Sequence, residues 1–332
     1  MQTMVSVTNP ADFAVRPPAL APGDTIGVIA PASSFNPQDL EAGCSALRSL
    51  GYKVSFSPSI FDSELYFAGA ADRRVSELEE MFANPGVKAI ICARGGYGCN
   101  YLLPKLRLDS VLRHPKIFVG YSDVTSLLTY FTDHGLVTFH GPMVAKDWAH
   151  EEGVELAAWR AIMGGEGFAV RSSAQSGLHA LVAGSGAGIL YGGCLSMLVA
   201  SLGTPYEAHT ERKLLFIEDT GAKPYQIDRM LMQLKLAGKL EGVRGILFGE
   251  MLECAQPGRQ DYSLQDVVGP IVEDLGVPVA FGFRSGHVSS SNCVLPFGVG
   301  ARLVVGEREV MFEVQAATVP SGNSSGVHSA RT

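Results

Sequence analysis

The 332-residue sequence contains few charged residues and no block of basic ones. Charged residues make up 18% of the chain and hydrophobic residues 46%, which excludes the apolar-poor composition of disordered proteins. The 26 Lys and Arg are outnumbered by 33 Asp and Glu, which gives a formal net charge of −7. Because binding to nucleic acid requires a basic surface that neutralises phosphates, we expect no nucleic-acid partner.

The sequence also lacks paired cysteines. No C-x-x-C motif and no histidine pair at ligand spacing occurs, which disfavours a disulfide framework and a structural zinc site. The six cysteines stand singly: Cys44, Cys92, Cys99, Cys194, Cys254 and Cys293.

Neither a leader nor a membrane span is indicated. Residues 1–24 lack a basic start followed by a continuous apolar run, so we expect a cytoplasmic protein. Residues 172–206 contain no Asp, Glu, Lys or Arg, but glycines divide this stretch into short pieces. A buried strand, a turn and a helix fit it better than a membrane span, and we expect no membrane partner.

From Asp24 onward, short apolar runs alternate with amphipathic segments, which is typical of a parallel sheet with crossover helices. The strands predicted in the first half are Thr25 to Ala30, Tyr52 to Phe56, Val87 to Cys92, Ile117 to Val119 and Leu136 to Phe139. The helices predicted between them are Pro37 to Leu50, Ala71 to Phe82, Asn100 to Leu106 and Asp123 to His134. This half is predicted to be an open, doubly wound α/β unit.

A polar stretch over residues 146–176 indicates a junction, and the length fits two domains. Strands are predicted beyond it at Lys213 to Glu218, Val243 to Phe248, Val277 to Phe281, Ala301 to Val305 and Glu309 to Val314. Helices are predicted at Leu195 to Leu202, Pro224 to Ala237 and Leu264 to Leu275. We therefore predict an amino-terminal extension (1–22), a first domain (23–165), a second mixed α/β domain (166–318) and a flexible tail (319–332).

The carboxyl ends of the strands are where an open α/β sheet collects its reactive groups. Ser122 follows the predicted strand that ends at Val119, and it precedes a predicted helix. A serine on such a turn can present its hydroxyl above the sheet while the next backbone amide faces a developing oxyanion. Serine is also a favoured helix N-cap, and on this segment alone capping is the preferred interpretation.

A glycine-rich loop, ARGGYG at 93–98, follows another predicted strand. Gly95 and Gly96 let backbone amides approach a ligand, and Arg94 adds a positive charge beside them. The loop fits a carboxylate, a phosphate or an oxyanion. It also fits an ordinary tight turn.

Four further polar residues lie at or shortly after the ends of predicted strands. Glu218 and Asp219 follow a hydrophobic strand, where Glu218 is able to orient an imidazole. Among the histidines, His287 has the most site-like position, after the strand that ends at Phe281. His140 also ends a strand and is either part of a pocket wall or a core residue. A solvated strand end accounts for both carboxylates as well.

Taken together, these segments resemble the LD-carboxypeptidase family of serine peptidases, which includes muramoyl-tetrapeptide carboxypeptidases and microcin C immunity hydrolases. The motifs run in family order, and the resemblance covers most of residues 22–314. They are GDTIGVIAPAS (23–33), ARGGYG (93–98), VGYSDVTSLL (119–128), HGPM (140–143), SLGTPYE (201–207), FIEDTG (216–221), YQIDRML (225–231), GILFGE (245–250) and GFRSGH (282–287). The resemblance implies a flavodoxin-like first domain, a smaller mixed α/β second domain and a site between them.

The resemblance also implies site residues. It places a catalytic triad on Ser122, Glu218 and His287, and an oxyanion hole on the amides of Gly95 or Gly96 together with Asp123. Arg94, Tyr97 and His140 are then candidate substrate contacts. The implied substrate is a muropeptide that loses its terminal D-alanine, the chemistry needs no metal or organic cofactor, and a homodimer is expected from the family.

Two positions depart from the family pattern. Cys194 stands where asparagine is frequent, and Ala222 stands where glutamate is frequent. These changes leave two alternatives open. One is a family hydrolase that acts on a peptidyl-nucleotide, for which an aromatic wall from Tyr97, Trp148 or Tyr206 would stack on the base. The other is a non-catalytic protein that binds an anion at the glycine loop.

Overall fold

A computed structural model describes residues 14–172, 177–255 and 261–320 of the chain. The strands in these ranges are β1 (Thr25–Ile29), β2 (Lys53–Ser55), β3 (Val87–Cys92), β4 (Ile117–Gly120), β5 (Thr138–His140), β6 (Phe168–Arg171), β7 (His179–Val182), β8 (Gly184–Cys194), β9 (Lys213–Glu218), β10 (Gly245–Gly249), β11 (Val279–Phe283), β12 (Leu295–Phe297), β13 (Gly300–Val305) and β14 (Val310–Val314). The α-helices are α1 (Pro37–Ser49), α2 (Ala71–Ala83), α3 (Leu108–Leu112), α4 (Thr125–Asp133), α5 (Leu156–Met163), α6 (Leu195–Ser201), α7 (Pro224–Leu236) and α8 (Leu264–Val272).

The first sheet has the strand order β12-β5-β4-β3-β1-β2. Strands β1 to β5 are mutually parallel in the flavodoxin order, which confirms the predicted architecture of the first half. Both faces of the central strands are buried. Ile90 and Phe118 join the core on one side and Ile91 and Val119 the core on the other, which explains their continuous apolar runs.

The second sheet has eight strands in the order β6-β14-β13-β8-β9-β10-β11-β7. Its centre, β8 to β11, is parallel, and the outer strands on both sides are antiparallel. The second half is therefore mixed α/β, as predicted. Strand β9 ends at Glu218 in the middle of this sheet, and β11 leads into the segment that carries His287.

The chain returns to the first sheet late in the sequence. Strand β12 pairs antiparallel with β5, and Leu295 lies opposite His140. This return was not predicted, and it ties the segment after β11 to the sheet that carries Ser122. The domain bounds at 165 and 318 stay predictions. The predicted extension and tail fall partly outside the described residues, at 1–13 and 321–332.

Most predicted elements agree with the structure to within a few residues, and the differences have local causes. The helix predicted from Asn100 to Leu106 is two 3-10 turns, Cys99–Tyr101 and Leu103–Lys105, because Pro104 breaks the hydrogen-bond ladder. Helices α3 and α5 and strands β6, β7 and β12 were not predicted. In the described ranges no helix has both the length and the apolar character needed to cross a membrane.

Helix α1 packs closely against the backbone at Val144, between residues that line the cleft described below. The Asn36 side chain accepts a hydrogen bond from the Gln38 amide and caps the helix. The buried face, Leu40, Gly43, Cys44 and Leu47, has helical spacing. A Cβ atom on Gly43 would lie 1.9 Å from the carbonyl oxygen of Val144, so only glycine lets the helix approach this backbone.

We predict that Gly43→Ala destabilises the fold by about 1–3 kcal/mol, because the added methyl group forces α1 away from Val144. The direction of the stability change is informative, because replacing glycine with alanine in an unconstrained helix stabilises the protein by up to about 1 kcal/mol. Urea unfolding measures the effect. Ser45→Ala at an exposed position of the same helix is the control and is expected to leave stability nearly unchanged. A Gly43→Ala protein of wild-type stability would contradict the close approach.

Candidate active site

The turn after β4 presents a serine in an unusual backbone conformation. Tyr121 continues the strand in extended conformation, and Ser122 then has φ +62°, in the left-handed region. This conformation costs a non-glycine residue about 1–2 kcal/mol, and such strain is frequent at active sites. Helix α4 begins only at Thr125, and no side-chain hydrogen bond caps it. The alternative that Ser122 serves as a helix cap is therefore wrong.

The glycine-rich loop lies against this serine. A Cβ atom on Gly95 would be 2.8 Å from the Ser122 Cβ and 3.1 Å from its Oγ, so a side chain here would displace the serine. Gly96 has φ +106°, and a Cβ atom on it would be 2.4 Å from the Oγ of Ser33. Within the part of the chain that the structure describes, neither glycine amide donates a hydrogen bond to another protein group. Both amides are thus available to a ligand.

The Asp123 side chain connects the serine turn to the glycine loop. Its Oδ2 accepts a hydrogen bond of 2.8 Å from the Cys99 amide, at the end of the loop. Burial raises the pKa of Asp123, and the hydrogen bonds from the Cys99 segment lower it in part. Arg74 is buried below the same loop and donates to the carbonyl oxygens of Gly98 and Pro31, at 3.0 and 2.6 Å. The loop is therefore held on two sides.

A buried carboxylate orients the histidine. Glu218, at the end of β9, has no exposed surface, and its Oε2 lies 2.7 Å from the Nδ1 of His287. The same oxygen accepts the backbone amide of His287 at 3.1 Å. Two contacts from one residue fix both the main chain and the ring of His287. Because Nδ1 faces a carboxylate, it carries the proton, and Nε2 is the free basic nitrogen.

The Glu218–His287 contact shifts the pKa of both groups. Burial is the largest single effect on each group and opposes its charge, but the charge attractions and hydrogen bonds around it together outweigh burial. Glu218, with Asp219 and Asp147, raises the pKa of His287 above its ordinary value, and His287 with His140 lowers the pKa of Glu218 to about 2. Glu218 is therefore a permanent anion at neutral pH.

Two side chains that the sequence did not indicate hold the His287 segment. The Asn292 side chain accepts from the Gly286 amide and donates to the Gly286 carbonyl, both at 3.0 Å. Glu250 accepts from the Ser289 amide at 2.6 Å and from its hydroxyl at 3.0 Å. Glu250 lies in a family motif, but Asn292 gave no signal, because its partner is found only in the folded chain.

Ser122 and His287 line one cleft of about 390 Å³. Three potential cations, Arg94, Lys146 and His150, line it as well, against the single carboxylate of Asp39. Arg94 Nη1 donates to the carbonyl oxygen of Ser34 at 3.0 Å, which fixes its direction. The full lining is Phe35, Asn36, Asp39, Arg94, Gly95, Gly96, Tyr121, Ser122, Met143, Ala145, Lys146, His150 and His287. The cleft suits an anionic ligand.

The structure changes the expected role of His140. Its imidazole is completely buried, with ring centroids 5.0 Å from Phe216 and 5.5 Å from Phe297. The prediction that His140 contacts substrate is therefore wrong, because a side chain sealed in the core does not reach a ligand in the cleft. Tyr97 is exposed in an aromatic cluster with Tyr66 and lies beside the cleft-lining Gly96. Its contact with substrate stays a prediction.

None of the three aromatic residues considered for a stacking wall lines the cleft as the structure describes it. Trp148 is buried against Trp159, and Tyr206 packs on Tyr130. The cleft instead has Phe35 and the mostly covered Tyr121. The observation gives no support to a base-stacking site from Trp148 or Tyr206.

The departure at Cys194 does not create a reactive thiol. Cys194 is buried, its Sγ lies 3.2 Å from the Ser196 hydroxyl, and burial raises its pKa well above the ordinary value. The thiol is thus protonated and covered, which is typical of a structural cysteine. Across residues 14–172, 177–255 and 261–320, no group of three or more His, Cys, Asp or Glu residues is arranged to hold a metal ion.

Comparisons with known proteins identify the family of the chain. Residues 26–141 match the LD-carboxypeptidase N-terminal domain, and residues 187–303 match the LD-carboxypeptidase C-terminal domain. A probable murein peptide carboxypeptidase of Bacillus subtilis is 40% identical over 302 residues, which cover 90% of this chain and 94% of that protein. A murein tetrapeptide carboxypeptidase of Pseudomonas aeruginosa is 29% identical, covering 84% of this chain and 92% of that one.

Solved structures give the same result. A muramoyltetrapeptide carboxypeptidase from Oxalobacter formigenes superposes with a TM-score of 0.79 at 27% identity, covering 89% of this chain and all of that one. An MccF-like protein from Bacillus anthracis has a TM-score of 0.82 at 25% identity, covering 91% of this chain and all of that one. The protein is a serine-type hydrolase. The chain belongs to the LD-carboxypeptidase family, and it has a carboxypeptidase function.

The left-handed conformation of Ser122 predicts an unusual stability order. Ser122→Gly relieves the strain, whereas Ser122→Ala keeps it, so we expect the glycine variant to be more stable by up to about 1 kcal/mol. Thermal unfolding of the two variants measures the difference, and neither retains a hydroxyl group. Ser126→Gly against Ser126→Ala, inside α4, is the control and is expected to show the reverse order. An alanine variant of Ser122 that is the more stable would contradict the strained turn.

Proposed function

We propose that the protein hydrolyses the amide bond before the terminal D-alanine of a murein tetrapeptide, with Ser122 as nucleophile, His287 as general base and Glu218 as the orienting anion. The observation that supports this most is the 2.7 Å contact between Glu218 and His287, in a cleft that Ser122 also lines. The names of the relatives, among them a murein tetrapeptide carboxypeptidase, support the substrate.

The mechanism begins with proton transfer. His287, held by Glu218, removes the Ser122 proton through Nε2 as the serine oxygen attacks the substrate carbonyl carbon. The carbonyl oxygen becomes negative and accepts hydrogen bonds from the amides of Gly95 or Gly96 and Asp123. Loss of one such donor typically raises the barrier by about 2.7–4 kcal/mol.

Collapse of the tetrahedral intermediate releases D-alanine. His287 returns its proton to the leaving nitrogen, and an acyl ester remains on Ser122. Water, deprotonated by His287, then hydrolyses the ester and restores the serine. Apart from the substrate and water, each step uses only side chains and amides of this chain, so the proposed chemistry needs no cofactor.

Arg94 is proposed to bind the free carboxylate of the substrate. It lines the cleft with Ser122, and its contact with Ser34 leaves other guanidinium donors available for a bidentate pair. We therefore expect Arg94→Ala to raise KM for the tetrapeptide but not for its carboxyl-terminal amide, as steady-state kinetics would show. An equal rise for both substrates would contradict this role.

The proposals for the biological role, the oligomeric state and the cellular location of the protein rest on the family resemblance and on the composition. We propose a role in recycling of cell-wall peptides, a homodimer and a cytoplasmic location. Sedimentation velocity tests the dimer, and cell fractionation tests the location. A monomer at all concentrations, or recovery outside the cytoplasmic fraction, would contradict the respective feature.

We predict that Ser122→Ala lowers D-alanine release from a murein tetrapeptide by at least about a thousandfold and leaves folding intact. A coupled assay for free D-alanine measures turnover, and circular dichroism confirms folding. Ser126→Ala on the following helix is the matched control and should behave as wild type. Offering a peptidyl-nucleotide amide in parallel tests the alternative substrate. Turnover retained without the Ser122 hydroxyl would refute the covalent mechanism.

The pH dependence follows from the raised pKa of His287. Only the neutral imidazole accepts the Ser122 proton, so kcat/KM should rise with pH through an apparent pKa above that of an ordinary histidine. Glu218→Gln removes the anion, so the apparent pKa should fall and turnover should drop by about a thousandfold or more. Glu241→Gln, the same change at an exposed site, is the control. An unmoved acid limb in Glu218→Gln would contradict the pairing.

A further inference from the structure

His140 lies on the far side of Glu218 from the cleft. Its Nε2 is 3.7 Å from the Glu218 Oε1, whereas His287 occupies Oε2. Both the His140 Nε2 and the Glu218 Oε1 are buried and have no hydrogen-bond partner among the described residues. Two complementary polar atoms thus face each other at slightly more than hydrogen-bond distance, and apo geometry at such sites frequently tightens during reaction.

The two neighbours of His140 together decide its tautomer. Nδ1 lies 2.9 Å from the Oγ of Ser285, which is completely buried and belongs to the segment that carries His287. Because a lone pair on Nε2 would face the Glu218 carboxylate, the favoured tautomer has its hydrogen on Nε2, and Nδ1 then accepts the hydrogen bond from the Ser285 hydroxyl. The pKa of His140 is lowered, because burial outweighs the attraction of Glu218, so the ring is neutral and has one N–H.

The environment seals this contact from water. A Cβ atom on Gly286 would be 2.7 Å from the Glu218 Cδ and 2.8 Å from the His140 Cε1, so the backbone closes directly over the pair. Other ionisable groups face the cluster from neighbouring elements. They are Asp147 and Tyr121 from the first-sheet side, Asp219 beside Glu218, and Cys194, which lies opposite Glu218 in the β8–β9 register.

We propose that His140 is a positioning residue that donates its Nε2 hydrogen to the Glu218 Oε1 and so keeps Oε2 directed at His287. The inference rests on the proposed triad. It gives His140, the first residue of the HGPM motif, a role in orienting Glu218 from the side that faces away from the cleft. His140 ends β5 of the first sheet, and Glu218 ends β9 of the second, so the contact also aligns the two halves of the site.

The test is the pH profile of D-alanine release for His140→Leu and His140→Gln. Leucine removes the donor, and we expect kcat to fall about tenfold to a hundredfold with little change in KM. The uncompensated Glu218 charge should hold a proton on the Glu218–His287 pair more strongly, so the acid limb should move to higher pH. Glutamine places an N–H near the Nε2 position and should restore most of both effects.

A purely structural role would give a different pattern. His140→Leu would then lower the unfolding temperature without moving the acid limb, and His140→Gln would not restore kcat; either result would overturn the proposal. If His140→Leu fails to fold, Ser285→Ala tests the proposal instead. It removes the hydroxyl that hydrogen-bonds to Nδ1 of His140, so the hydrogen of the imidazole is no longer held on Nε2. We expect the same upward shift of the acid limb, with a smaller loss of kcat, and a wild-type profile would overturn the proposal.

Ser122→Ala separates this inference from the proposed function. If that variant is inactive while both His140 variants keep the wild-type kcat and pH profile, the positioning role fails and the triad stands. If Ser122→Ala remains active, the triad itself fails, and the inference fails with it. Imidazole nitrogen chemical shifts give a readout apart from activity. They should show His140 neutral and protonated on Nε2 at neutral pH.

Discussion

The structure depends on one buried charge. Glu218 ends a central strand with no exposed surface, and its negative charge is stable there only because positive and polar groups surround it. His287 supplies a ring N–H and a backbone amide to a single oxygen. Gly286 is required because any side chain would strike the carboxyl group. The geometry of His287 is therefore a consequence of compensating this charge, and the second sheet positions the proposed base through it.

The first sheet supplies the other half of the site by a different means. The strand order reverses between β1 and β3, which opens a crevice at the carboxyl ends of the strands. Ser33 after β1 and Gly95 after β3 meet across it, where the Ser33 amide donates to the Gly95 carbonyl at 3.2 Å. Here close backbone approach, not charge, sets the geometry. The strained Ser122 is flanked by the buried Tyr121 and Asp123 and lies against Gly95, and such surrounding packing is what allows backbone strain to persist.

The sequence was informative where local chemistry decides structure. Strands β3 and β9 have the predicted bounds because continuous apolar runs end in polar residues. Strand β8 was not predicted with bounds of its own. Residues 172–206 were predicted only to contain a strand, a turn and a helix, because glycines frequently interrupt regular secondary structure. In the fold they permit contact instead: a Cβ atom on Gly186 or Gly192 would lie 1.8 or 2.0 Å from a neighbouring carbonyl oxygen. Likewise Asn292 and the buried position of His140 depend on contacts between distant segments, which no local pattern contains.

The proposed nucleophile and the proposed oxyanion donors are linked by hydrogen bonds. Asp123 contributes its backbone amide beside Ser122, and its side chain holds the Cys99 amide at the end of the glycine loop. Arg74 holds the Gly98 carbonyl of the same loop from below. The serine turn and the glycine loop are therefore joined by a direct hydrogen bond, and the loop is also anchored from its other side. Because catalysis of this kind requires donors that are fixed where charge develops, these contacts are what the proposed oxyanion hole needs.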